Sequence, residues 1–237
     1  MNFADIHIHA LYGSDDGAKS AMDMQNMIDA AYRDGTRYLC LTPHFHPGYY
    51  GENREMSDKA FSELSQYVES KYSDLHIAIG NELYYAQGGE CWLQEGACRT
   101  LNGTKYVLVD FSFDVGKKIV LDATNRLLNL GYRPILAHVE RYRNLSRDTE
   151  FILTCKQSGA LIQIDSMSIL GDFGFSVKRF ASALLSKQFV DFVSSDAHDI
   201  KKRPPNMKCA YENIMKKYGM AYAYAICFEN AKNMFFG

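Results

Sequence analysis

Short apolar segments alternate along the chain with longer amphipathic ones. A run such as 106–111 is almost wholly apolar and is bounded by polar residues, which is typical of a strand buried on both faces. Between such runs, apolar side chains recur at helical spacing, as at Met24, Met27, Ile28 and Ala31. The alternation predicts an α/β fold, a TIM-like (β/α) barrel of about seven parallel strands, complete or distorted.

Capping and turn residues give the boundaries of the predicted elements. Ser20 is a favoured helix N-cap and Gly35 a favoured stop, so the first helix is predicted between them. The segment 48–55 is predicted to be a loop, and 84–104 shows no clear periodicity. The other predicted helices are 57–72, 117–130, 149–157, 180–185, 211–217 and 221–228. The first predicted strand begins at 3–6, and the others are 38–41, 75–80, 106–111, 134–138, 160–164 and 189–194.

Length and charge narrow the class of protein. A chain of 237 residues with 47% hydrophobic content can bury one substantial core, so a single domain over residues 1–237 is predicted. The formal net charge of -2 gives no basic surface of the kind that nucleic-acid backbones require, so nucleic acid is not expected as a partner. No apolar run approaches the roughly 18–20 residues of a membrane span. A cytoplasmic protein without membrane insertion is expected.

The six cysteines are scattered without a C-x-x-C pair, which favours reduced, structural thiols. Cysteine-dependent phosphatases hold the phosphate in a loop that places an arginine six positions after the cysteine. Here the positions six residues after the cysteines are His46, Ala97, Thr104, Leu161, Met215 and Asn233. Thiolate phosphatase chemistry is therefore not expected.

His7 and His9 lie two residues apart on the first predicted strand. Alternate residues of a strand point to the same side, so the two imidazoles face one way and can bind one divalent ion. The alternative is a pair of histidines that only make hydrogen bonds in a half-buried strand. The spacing by itself does not decide between these two interpretations.

Histidines and carboxylates recur at or just after the C-terminal ends of six of the seven predicted strands. In a (β/α) barrel these ends converge on one face, where the active sites of this architecture lie. Asp16, in the polar loop after the first strand, can join them. The predicted metal ligands are His7, His9, Asp16, His44, Glu82, Asp110, His138, Asp196 and His198.

Nine ligand groups are too many for one tetrahedral ion and suit a cluster of two or three divalent ions. Three such ions against four carboxylates leave about two positive charges, which attract a phosphate dianion. Metal coordination also lowers the pKa of bound water toward about 7, so hydrolysis by a metal-bound hydroxide is expected. Asp110 is a candidate to bridge two ions.

Arg141 and Arg203 lie three and five residues after the predicted ligands His138 and His198. A guanidinium group matches phosphate oxygens with two parallel hydrogen bonds, so both arginines are candidate catalytic residues that bind phosphate. An arginine at such a position can instead form a surface salt bridge. Their placement directly after ligand-bearing strands favours the phosphate role.

Six motifs stand out along the chain: Asp5–His9, Asp15–Gly17, Thr42–His44, Gly80–Glu82, His138–Tyr142 and Ser195–His198. Together they resemble the polymerase and histidinol phosphatase (PHP) domain family, most closely its bacterial capsule-biosynthesis tyrosine-protein phosphatases. The resemblance implies a trinuclear, typically manganese-dependent phosphatase that acts on phosphotyrosine of a bacterial tyrosine kinase of polysaccharide biosynthesis, and it assigns the nine ligands and two arginines the same roles. Iron or zinc is possible at such sites. Asp110 departs from the family, whose bridging residue is usually Glu.

Two other functions remain open from the sequence. A small-molecule phosphatase of the histidinol-phosphate type would use the same metals in a deeper pocket, and a non-catalytic module would hold metal only for structure. A protein substrate is favoured by aromatic residues near the predicted site, which can stack on a tyrosyl ring. These residues are Tyr12, Phe45, Tyr49 and Tyr50.

Overall fold

The computed structural model describes residues 1–51 and 54–237. Residues 52 and 53, within the predicted loop 48–55, lie outside the described residues. Among these described residues, every pair of neighbouring strands is parallel. The strands are β1 (Phe3–Ile8), β2 (Thr36–Leu41), β3 (His44–Phe45), β4 (His76–Ile79), β5 (Glu82–Tyr84), β6 (Tyr106–Asp110), β7 (Arg133–Leu136), β8 (Leu161–Asp165) and β9 (Phe192–Ser194).

The strands form two sheets that curl into a half-barrel. One sheet has the order β1-β2-β4 and the other has the order β3-β5-β6-β7-β8-β9. A single parallel bridge between Ile8 and Ala197 joins the end of β1 to the segment after β9. The sequence predicted a TIM-like barrel, complete or distorted. The described part of the chain forms a curled half-barrel of two sheets.

The described residues contain nine strands where the sequence predicted about seven. The two additional strands, β3 and β5, are short, and two residues separate each of them from the end of β2 and β4, respectively. Pro43 lies in the first of these interruptions and has no N–H to donate to a neighbouring strand. Its carbonyl instead accepts from the backbone N–H of Glu82 at 3.1 Å, which starts the pairing of β3 with β5.

The helices lie between the strands, and most agree with the predicted segments. Ser20 caps α1 by accepting from the backbone N–H of Asp23, and Gly35 ends the helix with a φ of 109°. The short helices α3 and α6 were not predicted, and the second half of the predicted final helix is a π-helical segment, Ala225–Glu229. The helices are α1 (Ala21–Asp34), α2 (Arg54–Lys71), α3 (Glu90–Gln94), α4 (Lys117–Asn129), α5 (Thr149–Ser158), α6 (Ser166–Leu170), α7 (Phe175–Ser186), α8 (Met207–Tyr218), α9 (Met220–Tyr224) and α10 (Asn230–Phe235).

The last helix covers the N-terminal ends of the strands. The ring of Phe235 in α10 packs against Tyr106 and Phe192, the first residues of β6 and β9, at centroid distances of 5.2 and 5.7 Å. Ala231 and Phe235 are buried in one cluster with Ile6 of β1. Burial of this apolar surface stabilises one end of the half-barrel and leaves the C-terminal ends of the strands for polar groups. Among the described residues, no helix combines the length and the apolar character that crossing a membrane requires.

Candidate metal centre

The structure brings all nine predicted ligand residues together in one cluster. They form four overlapping groups, and within each group the ligand atoms lie within 4.8 Å of one another. The sequence predicted that His44 and Glu82 follow the ends of long strands. In the structure they instead begin the short strands β3 and β5. The groups are His9, Asp16, His44 and His198; His7, His9 and Glu82; His7, His138 and Asp196; and His44, Glu82 and Asp110.

Four buried atoms lie at the centre of this cluster. Nε2 of His7 is 3.0 Å from Nε2 of His9 and 3.2 Å from Oε2 of Glu82. Oδ1 of Asp196 is 3.4 Å from the same atom of His7 and 3.3 Å from that of His9. Ligands that each lie about 2.1 Å from one ion are about 3.0–3.4 Å from one another in octahedral or tetrahedral geometry. Nε2 of His7, Nε2 of His9 and Oε2 of Glu82, the last two 3.4 Å apart, therefore have the mutual spacing of ligands to one divalent ion.

Two further parts of the cluster lie on either side of this centre. On the solvent side, Oδ1 of Asp16 is 3.5 Å from Nε2 of His44 and 3.4 Å from Nε2 of His198. On the other side, Nε2 of His138 is 2.8 Å from Oε1 of Glu82 and 3.7 Å from Oδ1 of Asp110. Shared residues such as Glu82 connect these parts to the centre.

The surroundings of the Glu82 carboxylate show whether these ligand residues fit a metal ion. Its Oε2 is fully buried and makes no hydrogen bond with any described residue. Yet Nδ1 of His44 lies 2.7 Å from this oxygen, and His7 and His9 lie within 3.4 Å of it. Short nitrogen–oxygen distances without hydrogen-bond geometry are expected where all the atoms point to a common cation. A buried carboxylate oxygen without a hydrogen bond is otherwise unfavourable, so the residues fit a divalent metal.

The electrostatics of the cluster are those of tightly packed opposite charges. Burial works to raise the pKa of Glu82, but the imidazoles of His7 and His44 hold that pKa well below its usual range. Burial works to lower the pKa of His138, but Asp110 and Glu82 raise it to about 9. The Glu82 carboxylate is therefore ionised at neutral pH and favours positive charge at the centre.

Arg141 and Arg203 approach the same oxygen of one predicted ligand. Nη1 of Arg141 donates to Oδ2 of Asp196 at 2.8 Å and to Oδ2 of Asp165 at 3.2 Å. Nη2 of Arg203 donates to the same Oδ2 of Asp196. Burial works to lower the pKa of Arg141, but Asp165 and Asp196 hold it above its usual range. Both cations thus lie at the cluster and not in isolated salt bridges on the surface.

The structure adds supporting residues that sequence reasoning missed. Oδ2 of Asp15 lies 2.7 Å from Nδ1 of His9, and it accepts from the backbone N–H of His44 at 2.9 Å. Oε1 of Gln163 in β8 lies 3.3 Å from Nδ1 of His7 and accepts from the backbone N–H of His138 at 2.9 Å. Such contacts orient imidazoles toward a metal. Asp15 could have been found beside Asp16 in the first loop, whereas Gln163 has no signal in the sequence.

Backbone geometry also marks the site. His138 has a φ of 33° and Asp196 a φ of 50°, both in the left-handed region that residues other than glycine rarely adopt. Strained backbone of this kind clusters at functional sites, where surrounding contacts hold it. Asp196 is held by donation of its N–H to the carbonyl of His7 at 2.8 Å. Gly17 approaches His9 so closely that an added Cβ would lie 1.9 Å from the carbonyl oxygen of His9.

A cleft of about 360 Å³ opens onto the cluster. Six of the nine ligands and both arginines line it, together with Tyr84 and the segment 111–113. The aromatic residues that the sequence predicted at the rim are not among its lining residues. Phe45 is buried and Tyr12 donates its hydroxyl to Glu63, because both belong to the packing of neighbouring elements.

The half-barrel and its histidine–carboxylate cluster define a class of α/β proteins with a metal-ligand site at the strand ends. The chain belongs to the CpsB/CapC family of capsular polysaccharide synthesis, which matches residues 3–236. Tyrosine-protein phosphatase CpsB of Streptococcus agalactiae serotype III (strain NEM316) is 33% identical over 235 residues, 97% of each chain. Tyrosine-protein phosphatase YwqE of Bacillus subtilis (strain 168) is 32% identical over 228 residues, 96% of this chain and 89% of YwqE.

The fold is also that of a solved relative. Crystal structures of YwqE from Bacillus subtilis and CpsB from Streptococcus pneumoniae, described as unique metal-dependent tyrosine phosphatases, match with a TM-score of 0.90 at 32% identity. The match covers 99% of this chain and 94% of the other. The resemblance drawn from the sequence motifs is confirmed at the level of this family.

Proposed function

We propose that this protein is a metal-dependent protein-tyrosine phosphatase that hydrolyses phosphotyrosine on a protein, in particular a bacterial tyrosine kinase of polysaccharide biosynthesis. The observation that carries the proposal is the cluster of nine metal-ligand side chains, six of which line one cleft together with two half-buried arginines. The relatives' names support the phosphotyrosine substrate. A single domain over residues 1–237 and a cytoplasmic location are part of the same proposal.

The nine ligands are proposed to hold two or three divalent ions, with manganese the leading candidate and iron or zinc the alternatives. Overlap of the four groups through His7, His9, His44 and Glu82 supports neighbouring ions that share ligands. Carboxylate-rich sites with imidazole suit manganese. When bound, such ions lower the pKa of a bound water toward about 7 and neutralise charge on the phosphate.

Arg141 and Arg203 are proposed to bind the phosphate and the charge that develops on it during hydrolysis. Among the described residues, Arg141 makes its hydrogen bonds through Nη1 alone, so its Nε and Nη2 donors remain for a ligand. Nε of Arg203 is buried, with no hydrogen-bond partner among the described residues. A phosphate oxygen would satisfy these donors. Preorganised donors stabilise a charged transition state because they need no reorganisation during the reaction.

The decisive experiment combines elemental analysis with substrate comparison. We expect two or three equivalents of a divalent metal per chain, with turnover of a phosphotyrosine peptide well above that of histidinol phosphate. The reverse preference would favour a small-molecule phosphatase, and bound metal without turnover of either would favour a non-catalytic module. A chelator should abolish activity, whereas alkylation of the exposed thiols of Cys91 and Cys209 should leave it unchanged.

A further inference from the structure

The cleft over the metal-ligand cluster has one apolar wall that none of the assigned roles explains. Most of its lining is charged or imidazole, but Tyr84, Phe111 and Phe113 are aromatic. Phe111 is only 2% exposed and belongs to the core. The half-buried ring of Tyr84 is stacked on His46 at 3.9 Å. Phe113, by contrast, is 48% exposed, so it presents free apolar surface to whatever enters the cleft.

The ring of Phe113 is adjacent to the phosphate-binding group. Cζ of Arg141 lies 5.2 Å from its ring centroid and 4.7 Å from that of Phe173, so the guanidinium lies close to two phenyl rings. A cation over an aromatic face is favourable and restrains the guanidinium. A phosphate bound to Arg141 would therefore have its ester group next to Phe113.

An aryl phosphate and an alkyl phosphate differ in the group that their ester oxygen carries next to Phe113. In phosphotyrosine only one oxygen separates the phosphorus from a phenyl ring, so the ring lies beside the bound phosphate. Aromatic pairs are favourable at centroid distances of about 4.5–7 Å, beyond the gain from burying apolar area. The alkyl carbon of a simple alkyl phosphate offers far less surface at the same position.

We propose that Phe113 forms the ring-binding wall of the substrate site and thereby selects aryl over alkyl phosphate esters. This inference rests on the proposed phosphatase function and names the residue that determines its specificity. Phe113 lies in the loop between β6 and α4, and its carbonyl accepts from the backbone N–H of Arg143 at 2.8 Å. Replacing the exposed side chain leaves this contact in place, so the variants are expected to fold.

The test compares the metal-loaded protein with Phe113→Ala and Phe113→Tyr, using phenyl phosphate and ethyl phosphate as substrates. For Phe113→Ala we expect kcat/KM to fall about tenfold on phenyl phosphate, mainly through KM, and less than twofold on ethyl phosphate. Phe113→Tyr should retain the activity on phenyl phosphate. Because the ratio is compared between variants on the same two esters, the difference in leaving groups cancels.

Binding without turnover provides a second readout. Calorimetry with phenylphosphonate and methylphosphonate should show that Phe113→Ala weakens only the phenyl compound, again about tenfold. The matched control is Phe175→Ala, which removes a phenylalanine that is 79% exposed and does not line the cleft. This control should change neither kcat/KM for the two esters nor the affinity for the two phosphonates.

The possible outcomes separate this inference from the function on which it rests. Equal loss on both esters would mean that Phe113 acts by positioning Arg141, and no loss would mean that the ring is not contacted; either result overturns the proposal while the phosphatase function stands. A wild-type protein that hydrolyses neither ester nor phosphotyrosine peptide would overturn both.

Discussion

Oδ2 of Asp15 lies 2.7 Å from Nδ1 of His9, which turns the other ring nitrogen of His9 toward the centre of the cluster. Burial works to raise the pKa of Asp15, but the neighbouring imidazole lowers it, so the carboxylate stays ionised. A carboxylate behind an imidazole fixes its tautomer and raises its basicity toward a metal. Asp15 is therefore expected to contribute to metal affinity without binding the metal itself.

Asp15→Asn should weaken metal binding by about 10- to 100-fold, the range observed when such supporting groups are removed. Titration of the metal-free protein with manganese would measure the change, and activity should return at high metal concentration. Asp114→Asn is the matched control, because Asp114 is an exposed carboxylate paired with Arg143. Equal affinities for the Asp15 and Asp114 variants would remove Asp15 from the site.

Loss of one ligand should remove most of the activity without unfolding the protein. His138→Ala and Asp196→Ala each remove a member of the cluster, while the apolar core lies elsewhere. Arg141 keeps its contact with Asp165 when Asp196 is replaced, so the guanidinium is not left unpaired. We expect loss of most activity at saturating metal with an unchanged circular dichroism spectrum. His76→Ala, at the exposed start of β4, is the control. Near-normal turnover in either cluster variant would exclude that residue from the reaction.

Arg141→Ala and Arg203→Ala should leave the metal content unchanged and lower kcat/KM by about 10²–10³, the effect of removing one preorganised charge-stabilising donor. Lysine at either position should restore activity only in part, because a point charge lacks the two-pronged geometry of a guanidinium. Arg143→Ala, whose side chain is exposed, should behave as wild type. Changed stability with unchanged kinetics in both variants would assign these arginines to structure alone.

Metal binding should release protons and should strengthen as the pH rises toward 9. In the metal-free protein the pKa of His138 is raised to about 9, so this imidazole is protonated at neutral pH. A metal ion binds only the neutral ring, so below about pH 9 it must displace the proton. Metal affinity therefore falls by up to about tenfold for each unit that the pH is lowered and for each proton displaced. Calorimetric titration in buffers with different ionisation enthalpies would count the protons. Affinity that does not vary between pH 7 and 9 would contradict this.

The alternation of apolar runs and amphipathic segments was enough to predict the α/β class and most of the elements. Local signals were sufficient to locate these elements because they depend on residues close in sequence. For example, Ser20 and Gly35 flank the two ends of α1, as predicted. The ligands could be predicted for a related reason. In parallel strands every C-terminal end lies at one edge, so a polar residue such as His138 or Asp196 after a buried run must approach the others.

Only the tertiary structure decided how these groups are supported and what lies around them. Gln163 lies beside His7 although 156 positions separate them, and no local pattern distinguishes this glutamine from others. The break of two strands into β2–β3 and β4–β5 depends on pairing across the sheet. The exposed aromatic residue that lines the cleft is Phe113 and not Tyr49 or Tyr50, although both tyrosines are also exposed, because contacts between distant segments decide which loop lies at the cleft. Periodicity determines which face of an element is buried, whereas contacts between remote segments determine which side chains remain free to bind a substrate.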